Sequence, residues 1–406
     1  MAVPPRADER DPVRPMRVLV VTNDLPPRVG GIQYYVDQLA RGLCAAGDEV
    51  WMYGSSYEGD AEWDRTAPYE VVRERVATLL PTPTVLRHAT RLVRHVDPDV
   101  VVFGAAFPLG LLGPVLRRRT GVPYVGFTHG LEVSSARVPG GGRLLRAIGR
   151  DASAITFVSR WCDDLLRPRF GPGPDYVRLP PAVDPADFHP RVDGTAIRDR
   201  YGFGDDPVVV CVSRLVERKG QDQLIRSLRG LREQVPGARL LLVGGGPHRD
   251  ALAALARDEG VEEWVTIAGE VSGEELPAHY AAGDVFAMPC RERIGGLEVE
   301  AFGIVFIQAQ AIGRPVVAGD IGGVPDALRD DETGLLVDGT DVDAVRSAVA
   351  SLLGDPERAT QMGAAAARFV AEGFTWDRRT VELRRLLAQV SGLTRSGAPA
   401  SPPAAR

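Results

Sequence analysis

Short runs of β-branched and aliphatic residues, each closed by a Gly- or Pro-rich turn and followed by a stretch with a 3.6-residue apolar period, recur along this chain. Residues 17–22 precede a helical pattern at 31–46, 100–103 precede 109–119, and 208–212 precede 221–234. Further apolar runs at 240–243, 265–267, 285–288, 314–318 and 335–337 repeat the alternation. A strand that is apolar at every position has no solvent face, so these runs predict parallel sheets with helices on both sides. The stretch Leu179-Pro180-Pro181-Ala182-Val183-Asp184-Pro185 breaks the alternation and is too rich in Pro for a strand interior or a helix. It reads as an interdomain linker. A chain of 406 residues is also too long for one ordinary core, and predicts two domains of about 180 to 200 residues each.

The resulting layout is a disordered tail over 1–15, a doubly wound domain over 16–185, a second over 186–373, a helix over 374–390, and a Ser/Pro/Ala/Gly-rich disordered tail over 391–406. Two doubly wound domains facing a central cleft would take a ligand at the carboxyl ends of their strands. The first fifteen residues are rich in Pro and Arg without an apolar core, which predicts neither a signal peptide nor an anchor. No apolar run reaches the length of about 18 residues that a membrane span needs. The formal charge of −6 is mild, and residues 1–190 carry 23 Arg against 22 acidic residues, so no nucleic-acid footprint is present. Cys44, Cys162, Cys211 and Cys290 are too scattered for a zinc or redox motif and read as core thiols in a reducing cytoplasm.

Three strand-to-helix turns carry candidate chemistry. Gly30-Gly31 precede a helix, where backbone N–H groups can approach an anion that the helix dipole also favours; loop punctuation is the plainer alternative. In Ser213-Arg214-Leu215-Val216-Glu217-Arg218-Lys219-Gly220 two cations five residues apart, Arg214 and Lys219, suit a diphosphate held from two sides. Lys219 is the only lysine among 48 basic residues; chance survival competes with a requirement for a compact ammonium. The turn Gly244-Gly245-Gly246 lacks dinucleotide spacing and reads as packing. In the loop from Pro289 to Ala301 charged residues and glycines leave a strand, and an apolar helix begins near Gly303. Backbone N–H groups of Phe302, Gly303, Ile304 and Val305 would be unpaired there, with phosphate as the natural guest.

These residues carry a resemblance. The chain resembles the retaining GT-B glycosyltransferases of family 4, and among them the bacterial phosphatidylinositol mannosyltransferases that use GDP-mannose. The likeness runs from the Gly-Gly turn to Phe374-Thr375-Trp376, where the family has a helix crossing back to the first domain. It implies that Arg214 and Lys219 bind the donor diphosphate, that Glu300 contacts the donor sugar's hydroxyls, and that Phe302 to Val305 hold the phosphates, with Gly30 and Gly31 closing from the other domain. His129, in Phe127-Thr128-His129-Gly130, matches a family histidine near the transferred sugar; a structural role is its alternative. Gln308 stands where the family places a second Glu on the ribose hydroxyls, and an amide cannot offer two charged acceptors to a diol.

The resemblance further implies retention of anomeric configuration without a protein nucleophile, charge on the departing diphosphate being stabilised instead. It implies no cofactor and no metal. Asp97-Pro98-Asp99 precedes a strand and Asp341-Val342-Asp343 looks like a helix N-cap, so neither is expected to hold an ion. For the acceptor, Arg87, His88, Arg91, Arg94 and His95 lie with Leu86, Leu92 and Val93 on one helical pattern, and Arg143, Arg146 and Arg150 flank Leu144, Leu145 and Ile148 on another. Such helices either meet an anionic membrane or form solvated faces.

Three readings stand. The first is a cytoplasmic mannosyltransferase, peripheral at the inner membrane face, moving mannose from GDP-mannose to a phosphatidylinositol mannoside. The second keeps the chemistry but has a diverged donor and a small soluble acceptor, and the third is a catalytically weak nucleotide-sugar-binding protein.

Overall fold

The computed structural model describes residues 14–28 and 30–393. Most of the expected tails, and Val29, lie outside the described residues. Where the tails are described they are ordered: Arg14 pairs with Asp99 at 2.5 Å, and the N–H of Leu393 reaches the carbonyl of Ala388 at 2.8 Å.

The chain forms two compact units. One gathers the residues up to Phe157, Leu166–Leu179 and those from Asp377 on; the other gathers Val158–Leu165 and Pro180–Trp376. The division therefore falls between Leu179 and Pro180, ahead of the linker boundary at 185. Residues beyond Pro180 fold into the second unit, where the N–H of Val183 donates to the carbonyl of Phe374 at 2.9 Å. The last helix, Trp376–Val390, belongs to the first unit from Asp377 on, and Arg384 joins it there to Asp48 at 2.7 Å.

The first unit is built on seven parallel strands: β1 (Arg17–Val21), β2 (Glu49–Ser55), β3 (Glu70–Glu74), β4 (Val100–Phe103), β5 (Tyr124–Phe127), β6 (Ala154–Phe157) and β7 (Asp175–Arg178). Their order is β3-β2-β1-β4-β5-β6-β7. The second unit has six: β8 (Val208–Val212), β9 (Arg239–Val243), β10 (Val265–Gly269), β11 (Val285–Met288), β12 (Val316–Gly319) and β13 (Gly334–Val337), in the order β10-β9-β8-β11-β12-β13. The central strands β4, β5, β8 and β11 are buried at every position, as their unbroken apolar runs require. The charged edge strand β3 is only half-buried and gives no such run, which is why the periodicity of the sequence does not mark it. In each sheet the order reverses beside the first strand, between β1 and β4 and between β8 and β11. Doubly wound sheets bind ligands outside the carboxyl ends at such reversals.

Candidate active site

In the second unit the residues that follow β8 and β11 converge. β8 ends at Val212, and the next turn is pinned from below by the triple glycine after β9. The N–H of Leu215 donates to the carbonyl of Gly245 at 2.8 Å, and a Cβ on Gly244 or Gly246 would lie 2.2 Å from the Ser213 oxygen or 2.4 Å from the Leu215 oxygen. The triple glycine is thus a packing turn that sets the height of Arg214, whose side chain is exposed.

A single 3₁₀ turn, Glu217–Lys219, then leads through Gly220 into helix Gln221–Gln234. Gly220 has φ 76°, and a Cβ there would sit 2.0 Å from the Pro289 carbonyl oxygen. That close approach brings the loop after β8 against the loop after β11, and the N–H of Arg291 donates to the carbonyl of Arg218 at 2.9 Å. The consequence is the central contact of the site. Lys219, only 8 % exposed, places Nζ 2.5 Å from Oε2 of Glu300, and Arg218 donates to the same oxygen at 2.9 Å. Burial alone would raise the Glu300 carboxyl, but Lys219 and Arg218 outweigh it and hold it below the usual carboxylate range. Arg218 had no assigned role in the sequence; its adjacency to Lys219 was the available signal.

The Glu300 backbone is fixed from the other side. Its carbonyl accepts the N–H of Gly323 at 2.9 Å, and a Cβ on Gly322 would meet that same oxygen at 2.3 Å. Three residues on, Gly303 at φ 87° caps helix Ile304–Ala311. The first N–H groups of that helix have no preceding turn to bond, so the stretch Phe302 to Val305 leads into a positive dipole end, and a Cβ on Gly303 would lie 3.6 Å from Cγ of Glu300. The Phe302 side chain itself is core, packed on Phe374 at 5.8 Å between ring centres, so only its backbone is available to a ligand. Gln308 lies one turn further and is buried. Its Oε1 accepts the Tyr280 hydroxyl at 2.9 Å, so one of the two lone pairs of the amide oxygen is engaged within the protein.

The first unit positions the other candidates around its own reversal. Gly31 begins helix Gly31–Ala45, and a Cβ on it would meet nothing within 4 Å, whereas one on Gly30 would crowd Gln33 Oε1 at 2.3 Å. His129 follows β5. Its Nε2 lies 2.6 Å from the Gly104 carbonyl, its backbone N–H donates to Glu132 at 3.1 Å, and its ring packs edge-on against Tyr35 at 5.0 Å. Burial pushes the imidazole down to about 4, with the Gly104 bond acting weakly the other way, so it is neutral at pH 7. The same dry setting pushes Glu132, which the sequence reading had not singled out, up to about 7.

The paired aspartates have structural tasks. Asp99 accepts the backbone N–H of Arg17 at 2.8 Å, and Asp341 caps helix Val342–Leu353 through the N–H groups of Asp343 and Ala344. Among the described residues no His, Cys, Asp or Glu cluster has the makings of a metal site. In helix Pro83–Val96 the apolar face is spent on the unit's own core through Val85, Ala89, Val93 and Val96, and His88 pairs with Glu74. Helix Gly141–Gly149 differs, since Leu145 and Ile148 are buried while Leu144 stays 42 % exposed beside Arg143 and Arg146.

Residues 29–187 match the family described as Glycosyltransferase Family 4, and 193–369 match Glycosyl transferases group 1. A GDP-mannose-dependent alpha-(1-6)-phosphatidylinositol monomannoside mannosyltransferase of Mycolicibacterium smegmatis is 47 % identical over 91 % of this chain and 98 % of its own length. The chain belongs to the family 4 glycosyltransferases.

A GDP-mannose-dependent monoacylated alpha-(1-6)-phosphatidylinositol monomannoside mannosyltransferase of Corynebacterium glutamicum is 38 % identical over 89 % of the chain and 95 % of its own length. Among solved structures, sucrose-phosphate synthase from Thermosynechococcus elongatus superposes with a TM-score of 0.78 at 23 % identity, covering 93 % of this chain and 99 % of that one. Anabaena HepE in complex with UDP gives 0.76 at 18 %, covering 92 % and 100 %. The two doubly wound units of this glycosyltransferase are accordingly those of the GT-B fold.

Proposed function

We propose that this glycosyltransferase moves mannose from GDP-mannose to a phosphatidylinositol mannoside, with retention of anomeric configuration and without a metal ion or other cofactor. The observation that carries the reading is the Lys219–Glu300–Arg218 cluster beside the helix N-terminus at Gly303, in a chain alike over nearly its whole length to enzymes of that specificity. Negative charge grows on the departing diphosphate as the glycosidic bond breaks, and fixed donors in a dry site stabilise it without reorganising. Lys219 uses one of its three N–H donors on Glu300 and has two for phosphate oxygens. Arg214 supplies a second cation, and the N–H groups of Phe302 to Val305 a third source of positive potential. Glu300, kept ionised by its two partners, is an acceptor for sugar hydroxyls. In this reading His129, neutral, contacts the transferred sugar, and the leaving phosphate takes the acceptor's proton.

The lipid acceptor draws support from the first unit. Five large apolar side chains stand exposed on the connections after β3 and β5: Val76, Leu80, Leu131, Val138 and Leu144. Arg143 and Arg146 are exposed around Leu144. Exposed apolar side chains, with arginine flanking Leu144, suit the interface of an anionic bilayer, in keeping with a peripheral protein at the cytoplasmic membrane face. Among the described residues no helix is long and apolar enough to cross a membrane.

Purified enzyme with GDP-mannose, a phosphatidylinositol mannoside and a chelator should yield a mannosylated lipid whose new linkage is α by NMR. Transfer from UDP-glucose alone would favour the diverged-donor reading, for which the engaged carbonyl of Gln308 speaks. An inverted product, or a rate abolished by the chelator, would refute the retaining, metal-free mechanism.

A further inference from the structure

A glutamate in the first turn of a helix is ordinarily solvated and complements the dipole. Glu132, second residue of helix Leu131–Arg137, is instead wholly buried. Placing a carboxyl in a dry interior is costly unless its oxygens find donors. Both do: Oε2 accepts the N–H of His129 at 3.1 Å, and Oε1 accepts the N–H of Phe107 at 3.4 Å. Phe107 lies on the connection after β4 and His129 on that after β5, two strands paired in register through Phe103 and Gly126. The same two connections are tied once more by the imidazole, through Nε2 and the carbonyl of Gly104.

We propose that Glu132 is the positioning residue for His129, clamping the two connections so that the ring holds its proton on Nε2 and turns Nδ1 outward as a hydrogen-bond acceptor. A carbonyl oxygen only accepts, so the Gly104 contact requires hydrogen on Nε2. Because the neutral imidazole carries a single proton, Nδ1 is then a bare lone pair. A neutral acceptor there receives a sugar hydroxyl and cannot act as an acid toward the glycosidic oxygen. Loss of the clamp frees the connections to separate, lengthens the Nε2 contact and lets the proton move to Nδ1. The hydroxyl contact rests on the transferase reading above; the tautomer does not.

The test uses the full chain labelled with ¹⁵N-histidine, the His129 signals being identified by their loss in His129→Asn. The wild type should show the Nε2–H tautomer alone. Glu132→Ala should give a mixture of tautomers and lower kcat about tenfold or more, with the donor KM much less changed, as expected when a group is misplaced at the reacting sugar. Glu132→Gln, which keeps one acceptor and serves also if the alanine variant does not fold, should lie between. A Nδ1–H tautomer in the wild type, or an unaltered tautomer in the Glu132 variants, overturns the proposal. Absence of mannosyl transfer by the wild type would refute the proposed donor and acceptor while the tautomer comparison still decides the role of Glu132.

Discussion

Lys219 and Glu300, 81 residues apart in the chain, meet at 2.5 Å because one glycine, Gly220, lets its loop rest on the carbonyl of Pro289. The pair is nearly enclosed, and Arg218 shares the carboxylate. Such a pair adds little net stability, because desolvation of both charges offsets their attraction, yet breaking it from one side is costly. Its value lies in holding an ammonium and a carboxylate at fixed places beside a helix N-terminus.

Lys219→Ala should therefore lower turnover by on the order of a hundredfold or more, the loss expected when a preorganised donor to a developing anion is removed. Single-turnover rates with GDP-mannose measure it. Because Arg218 still faces Glu300, the variant should fold, and a near-normal rate would remove Lys219 from leaving-group stabilisation.

Gln308→Glu should tighten GDP binding in a calorimetric titration. The Tyr280 hydroxyl can donate to a carboxylate as it does to the amide oxygen, and the second carboxylate oxygen then faces outward as a charged acceptor. A charge-assisted bond adds about 1.5 to 3 kcal/mol, roughly tenfold or more in affinity. Unchanged or weaker binding would mean that the nucleotide does not reach this position.

Gly31→Ala separates packing from ligand approach. A Cβ at Gly31 meets no protein atom within 4 Å, so thermal stability should hold or rise slightly in a helical position. If a phosphate comes close to this backbone, the donor KM should still rise severalfold, and an unaltered KM would leave the glycine as mere punctuation.

The buried pair in the first unit predicts opposing limbs of stability against pH. His129 titrates near 4 when folded and near 6.5 when free, so the unfolded chain takes up a proton that the folded ring refuses, and stability is lost as pH falls from about 6.5 towards 4. Glu132 is raised from 4.5 to about 7, so its contribution is fully present below 4.5 and is lost as pH rises through 7. Melting temperatures across this range should show a shallower acid limb in His129→Asn and a smaller loss towards pH 8 in Glu132→Gln. Parallel curves for wild type and variants would contradict the buried states assigned to these groups.

Reversing Arg143 and Arg146 to Glu should weaken binding to vesicles containing anionic phospholipid by at least thirtyfold, at about 1 kcal/mol for each lost arginine. Leu144→Asp should act in the same direction, and neutral vesicles should bind neither form. Equal sedimentation of wild type and charge-reversed enzyme with anionic vesicles would discard this face as the membrane contact.

The order of elements and the α/β class were legible in the chain because buried parallel strands must be apolar at every position, and β4, β8 and β11 stand out for that reason. The loops that hold Arg214, Lys219, Glu300 and the Gly303 cap were legible too, since charge and glycine are concentrated beside apolar runs, and the family resemblance supplied the roles proposed for them. Pairings between loops far apart in sequence were not. That Arg218 shares Glu300, that Tyr280 occupies the carbonyl of Gln308, and that Glu132 lies buried beneath His129 depend on which strands become neighbours and how closely glycine lets their loops approach. A carboxylate in the first turn of a helix reads as solvated in any sequence; only the packing of β4 against β5 removed it from water and gave it two backbone donors to hold.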